Sequence, residues 1–252
     1  YTMMDKFGIG KLTSIDLEGE QDGTMFTPGD ENWSESNLAT NSFGQGLAVT
    51  PLQMITAAAA IANGGLMMQP HVVYQLVDGE EVTKSHPANL GRPISAQTAR
   101  EVTDMMVAVV NEGLDGQASV PGYTIAGKTG TSRDGWFAGF TPNLVCVVYV
   151  GFDDGSDLGM KGSDSALPIW ADFMRAALDL HPEWNGDWTM PDSIRKAEID
   201  TRDGKLIREL DGAQADSSGN ANLRVNLALR LTELQRGRML SARVLGGVAD
   251  AI

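Results

Sequence analysis

Three strand-like runs, Tyr123 to Ser132, Trp136 to Phe140 and Leu144 to Phe152, follow one another with only short turns between them. A parallel pair needs a crossover of a dozen or more residues, and none fits in these gaps. The three strands are therefore antiparallel neighbours, and Asp134-Gly135 is a strong hairpin signal between the first two. Helical patterns lie on both sides of this unit. Thr50 can cap a helix that opens on Pro51 and carries Leu52, Ile55, Ala58, Ala59 and Ala62 up to Asn63-Gly64-Gly65. Ser95 caps a second, with Ala99, Val102, Met105, Met106, Val109 and Val110 on one face. A third spans about Ala166 to Leu180, with Ile169, Phe173 and Ala177 at helical spacing.

The flanking stretches are plainer. Residues 1 to 46 read as a loop-rich entry, and His71 to Val77, with Asp78-Gly79 and Glu81-Val82 behind it, as a hairpin. Ile194 to Ile199 and Lys205 to Ile207 form a second small hairpin around Asp203-Gly204. Asp211 to Asn220 is a polar linker. Residues 221 to 240 set Leu223, Leu227, Leu231 and Leu234 beside Arg224, Arg230, Arg236 and Arg238, an amphipathic helix that suits a solvated surface or a partner segment. The 252 residues allow one large domain or one and a half smaller ones, and 42% hydrophobic with 21% charged residues is ordinary globular composition. No apolar run approaches the roughly 18 to 20 residues that cross a bilayer. With 19 basic against 33 acidic residues the net charge is −14, which opposes binding to nucleic acid or anionic lipid. Cys146, the single cysteine, reads as a buried small apolar residue. Tyr1 to Lys6 hold neither a signal pattern nor an initiator Met, so a segment is expected upstream.

One octapeptide, Gly122-Tyr-Thr-Ile-Ala-Gly-Lys128-Thr129, matches the phosphate-loop pattern G-x-x-x-x-G-K-[ST]. That chemistry needs a strand before the loop and a helix N-terminus at Lys-Thr. Here Gly116 to Pro121 precede it and a hairpin signal follows, so neither flank fits and nucleotide binding is the remote alternative. The other reading puts Lys128-Thr129-Gly130 on an edge strand, one of the three elements of serine acyltransferase sites in penicillin-binding proteins and serine β-lactamases. Gly130 would leave that edge clear for a substrate backbone.

Longer strings carry a family resemblance. Ala126-Gly-Lys-Thr-Gly-Thr-Ser132, Trp136-Phe-Ala-Gly-Phe-Thr-Pro142, Val147 to Asp153, and Ala39 to Gln53 with Ile61-Ala-Asn-Gly-Gly65 resemble the transpeptidase domain of high-molecular-mass penicillin-binding proteins. Phe7 to Thr13, Ile15 to Glu20 and Ala166-Leu-Pro-Ile-Trp170 extend the likeness to about residue 180. The early blocks look monofunctional, and Trp136 to Asp154, Ala166 to Met174 and Ser193 to Leu206 lean toward the bifunctional type.

The resemblance implies an α+β fold, an antiparallel sheet flanked by helices and incomplete at its N-terminal side. It implies residues 1–180 as the C-terminal part of the transpeptidase domain, 181–210 as a small β extension, and 211–252 as linker and helix. The implied activity is peptidoglycan D,D-transpeptidation through a serine acyl-enzyme, with stem peptides as substrates, β-lactams as covalent inhibitors, and no cofactor or metal. Lys128 and Thr131 would be catalytic. Thr129, Gly130, Thr131 and Gln45 would bind substrate, with the Thr131 backbone N–H in the oxyanion hole. Strict alternation places Lys128 and Thr129 on opposite strand faces, so their convergence rests on the resemblance. The family's S-x-x-K and S-x-N precede K-T-G. Ser193-Ile-Arg-Lys196 and Ser218-Gly-Asn220 follow it, and about one S-x-x-K is expected by chance at this length. The Ser-bearing half is therefore expected outside this chain, the chain alone is expected to be inactive, and the location implied is extracytoplasmic, anchored by an absent segment. A non-catalytic β-lactam sensor or substrate-binding domain of the same fold is the alternative.

Overall fold

The computed structural model describes residues 1–184 apart from 115, residues 186 and 188, and the strands 196–199, 206–210 and 244–248. In chain order the first elements are α1 (Thr2–Lys6), β1 (Thr24–Met25), α2 (Glu35–Ser42), β2 (Leu47–Ala48) and α3 (Pro51–Ala62). Then come β3 (Met67–Met68), β4 (Gln75–Asp78), β5 (Glu81–Lys84), β6 (Asn89–Gly91) and α4 (Ala96–Glu112). The central hairpins are β7 (Ala126–Thr131), β8 (Gly135–Phe140) and β9 (Leu144–Val150), followed by α5 (Ala166–Leu180), β10 (Lys196–Ile199), β11 (Leu206–Leu210) and β12 (Val244–Val248). The expected amphipathic segment 221–240, Ser193-Ile-Arg-Lys196 as a whole, and Ser218-Gly-Asn220 lie outside the described residues.

Among the described residues the main sheet has four antiparallel strands in the order β12-β9-β8-β7. Leu144, Val145, Cys146, Val147 and Val148 are all buried because helices cover both faces of β9. On one face Phe137, Cys146 and Val148 pack against Leu167, Trp170 and Met174 of α5. On the other, Ala126, Phe140, Val145 and Val147 meet Ile55 and Ala58 of α3 and Val107 of α4. Burial raises the Cys146 thiol to about 12. An α+β architecture of antiparallel sheet and flanking helices is thus present.

Local chemistry explains the helix ends. Thr50 Oγ1 accepts from Gln53 N while Thr50 N donates to Gln53 Oε1, each at 3.1 Å, a reciprocal capping box. The buried Gln53 amide also donates to Lys11 O at 2.7 Å and Asp22 O at 2.6 Å, which ties the entry segment to α3. Ser95 Oγ accepts from Thr98 N at 3.0 Å at the start of α4.

Several expectations change in detail. The entry segment is less loop-like than its composition, since α1 and α2 lie within it. On α4 the buried side includes Thr103, Val107 and Ala108, whereas Val102, Met105 and Met106 are only partly covered. On α5 the buried stripe is Leu167, Trp170, Ala171, Met174 and Leu178, and Ile169 faces outward at 44% exposure. Asp134-Gly135 does not form the turn itself. Ser132 to Asp134 make the link, and Gly135 is the first residue of β8, where any Cβ would strike Ser165 Oγ.

Candidate active site

Among the described residues β7 is the last strand of the sheet, and its outer edge pairs with no other described strand. Residues 128–129 sit in the middle of β7 and not at a helix N-terminus, so the phosphate-loop geometry is absent. The ladder pairs Lys128 with Ala138, Thr129 with Phe137 and Gly130 with Trp136. Alternation holds for the backbone, yet the two side chains still meet. The Lys128 stem curls along the edge, and its Nζ donates to Thr129 O at 2.8 Å and Thr129 Oγ1 at 3.3 Å. A long flexible side chain at a sheet edge can reach round the pleat in this way.

Lys128 is half-buried, and none of the ion pairs among the described residues involves it. Burial penalises its charged form and lowers its pKa below the ordinary lysine value. A desolvated cation held only by a carbonyl and a hydroxyl costs stability, and that pattern marks functional sites. The sign of the pH effect follows. Between the lowered folded value and the ordinary one near 10.5, the unfolded chain binds more protons, so folding becomes more favourable as pH rises. Denaturant melts at neutral pH and at about pH 10 are expected to show wild type gaining stability relative to Lys128→Met as pH rises. A gap independent of pH would contradict a charged, desolvated Lys128.

Gly130 has an immediate packing reason: a Cβ there would come within 2.8 Å of Trp136 Cβ, directly across the ladder. Thr131 Oγ1 accepts from Gly162 N at 3.1 Å, a contact that the sequence did not announce. Its only linear signal is a glycine in an acidic loop. Gln45 is exposed in the turn after α2, and its described hydrogen bond is local, from its N to Thr40 O at 2.9 Å. The structure thus gathers Lys128, Thr129, Gly130 and Thr131 on one edge, and no hydrogen bond of Gln45 among the described residues reaches β7. The glycines beside Gln45 serve the turn: Gly44 has φ +86°, and a Cβ at Gly46 would strike Asn41 Oδ1 and Thr40 Oγ1. Of the two aromatics on the return strand, Phe140 is fully buried, whereas Trp136 is partly covered and stands edge-on to Tyr149 at 4.7 Å.

The chain is similar in sequence and in structure to known proteins. Stage V sporulation protein D of Bacillus subtilis is 35% identical over 189 residues, which are 68% of this chain and 29% of that protein. Penicillin-binding protein 1A of Aquifex aeolicus is 37% identical over 167 residues, 64% of this chain and 23% of the relative. The chain therefore spans less than a third of either curated relative. Among solved structures, a ceftriaxone acyl-enzyme complex of penicillin-binding protein A from Mycobacterium tuberculosis superposes with a TM-score of 0.58 at 27% identity. That match covers 70% of this chain and 42% of the other. The penicillin binding protein transpeptidase domain matches residues 1–175, a span that takes in β7, β8 and β9 of the main sheet and most of α5, so this chain belongs to the penicillin-binding protein transpeptidase family.

Proposed function

We propose that this chain furnishes the Lys-Thr-Gly side of a peptidoglycan D,D-transpeptidase site. The observation that carries the reading is Lys128, a desolvated cation without an acidic partner among the described residues, set on a sheet edge beside the Thr129 hydroxyl. In the first half-reaction a Ser Oγ attacks the carbonyl of the penultimate D-alanine. The peptide bond breaks, and the terminal D-alanine leaves as an amine carrying the proton. In the second, an amine of a neighbouring stem attacks the ester and the Ser regains its proton. Lys128 supplies positive charge for the proton relay and for steering the substrate carboxylate. The hydroxyls of Thr129 and Thr131 donate to that carboxylate, and the Thr131 N–H contributes one oxyanion donor. Gln45 borders the substrate from the α2–β2 turn. β-Lactams trap the same ester.

The nucleophilic Ser, with its S-x-x-K and S-x-N, is proposed to come from residues outside these 252. In support, residues 1–184 contain neither pattern, and the one copy of each in the sequence follows β7. Stem peptides place the site on the outer side of the cytoplasmic membrane; none of the described helices is long and apolar enough to span it. Incubation with a fluorescent penicillin tests the reading. The 252-residue chain is expected to give no covalent adduct, and the full-length protein one adduct per chain. An adduct on the short chain would refute the external nucleophile, and none on the full-length protein would refute the transpeptidase.

A further inference from the structure

The segment between β9 and α5 does more than connect them. It crosses the tip of the β7–β8 hairpin and is fastened there at several points. Leu158 N donates to Arg133 O at 3.1 Å, and Arg133 Nη1 donates to Gly155 O at 3.3 Å. Gly162 lies flat on the ladder, where a Cβ would collide with Gly130 O and come within 2.9 Å of Trp136 O. Ser165, fixed by its own bond from Oγ to Lys161 O at 2.8 Å, occupies the space that Gly135 leaves open. Two glycines from different segments thus let strap and hairpin sit at backbone contact.

From this seat Gly162 N donates to Thr131 Oγ1 at 3.1 Å, and that hydroxyl has no other hydrogen-bond partner among the described residues. A threonine hydroxyl has two lone pairs and one proton. With a lone pair held by a backbone N–H, the oxygen is fixed in place and its proton is left for an acceptor outside. Accepting one bond also polarises the O–H and strengthens the bond it then donates.

We propose that Gly162 is a positioning residue: its backbone N–H presets the Thr131 hydroxyl as a donor to an anionic oxygen at the β7 edge. The inference rests on the reading of that edge as the carboxylate-binding side of the site, and it adds the strap as the element that sets the affinity. Gly162 touches no substrate and acts only through Thr131.

Two measurements separate this from a purely structural role. The first is amide hydrogen exchange on the 252-residue chain. Thr131→Val is expected to speed exchange at Gly162 about tenfold or more, and Thr131→Ser, which keeps the acceptor, to leave it protected. Equal protection in Thr131→Val overturns the inference whatever the acylation result. The second is acylation of the full-length protein by penicillin and by its methyl ester, which lacks the carboxylate. Gly162→Ala is expected to raise the half-saturating penicillin concentration about ten- to a hundredfold, with the limiting rate within about twofold. The ester is expected to show no such penalty. Thr131→Val should match it, Thr131→Ser should restore wild-type affinity, and the double variant should lose no more than either single one. Equal penalties for penicillin and ester would show that the strap only supports the fold, and overturn the proposal. Absence of acylation in the wild-type full-length protein removes the carboxylate reading and this inference with it, and faster exchange at Gly162 in Thr131→Val would then show only that the contact exists.

Discussion

Lys128→Met in the full-length protein is expected to lower the rate of acylation by a fluorescent penicillin by about 10²- to 10⁴-fold, the range for losing a positioned proton-transfer group. The fold should not suffer. The ammonium is desolvated and has no acidic partner among the described residues, so an apolar side chain of similar length removes a cost and keeps the stem's packing. Activity and stability should therefore move in opposite directions, with the melting temperature at neutral pH unchanged or raised. A lysine retained for structure would lower both. Lys128→Arg is not expected to rescue, because a guanidinium keeps its proton at all working pH and its planar fork is wider than the ammonium that fits beside Thr129 O at 2.8 Å. Undiminished acylation in Lys128→Met would exclude Lys128 from the chemistry and reduce it to an unusual edge residue.

The parts of this architecture that were legible in the sequence are those set by local rules. Short links between apolar runs forced antiparallel pairing of β7, β8 and β9, and Thr50, Pro51 and Ser95 fixed two helix starts through capping. The unread parts depend on what lies across the contact. Helix α5 is apolar on more than one side, and both Ile169-Phe173-Ala177 and Leu167-Trp170-Met174-Leu178 are plausible stripes on spacing alone. The choice is made by Gly139 on β8, which leaves the space that the Trp170 ring fills. The glycine of Asp134-Gly135 flagged the right hairpin for a reason that belongs to Ser165. Gly162 and Thr131 are 31 residues apart with no shared period, so their contact is invisible until the chain is folded. Lys128 and Thr129 show the same limit on a smaller scale: the pleat is predictable, but a long stem at an open edge overrides it.

Trp170 is where those hidden contacts concentrate, and Trp170→Ala is expected to have the largest effect on stability. The side chain is fully buried between α5 and the sheet, its ring lies 4.7 Å from that of Phe137, and its Nε1 donates to Cys146 O at 3.0 Å. Removing the ring leaves a cavity lined by Phe137 and Gly139, worth about 3 to 5 kcal/mol, and loses the bond from Nε1 to a carbonyl that keeps its place in the ladder, at roughly 0.5 to 1.5 kcal/mol more. Against a total stability of about 5 to 15 kcal/mol, that change brings the chain close to unfolding. At about 2 to 4 °C per kcal/mol for a domain of this size, the melting temperature should fall by about 7 to 25 °C. Trp170→Phe retains ring packing but loses the hydrogen bond, so a smaller loss is expected. The decisive variant is Gly139→Ala, whose Cβ would lie 2.5 Å from Trp170 Cζ2. Alone it overpacks the site and should cost about 1 to 3 kcal/mol. In the Trp170→Ala background the clash with Trp170 is gone and only Phe137 Cε1, 2.8 Å from the new methyl, has to shift into the vacated space, so the cost should shrink markedly. The two changes are then strongly non-additive. Simple addition of the two losses would mean that the ring and the glycine are not packed on one another, and that something other than Gly139 selects the buried stripe of α5.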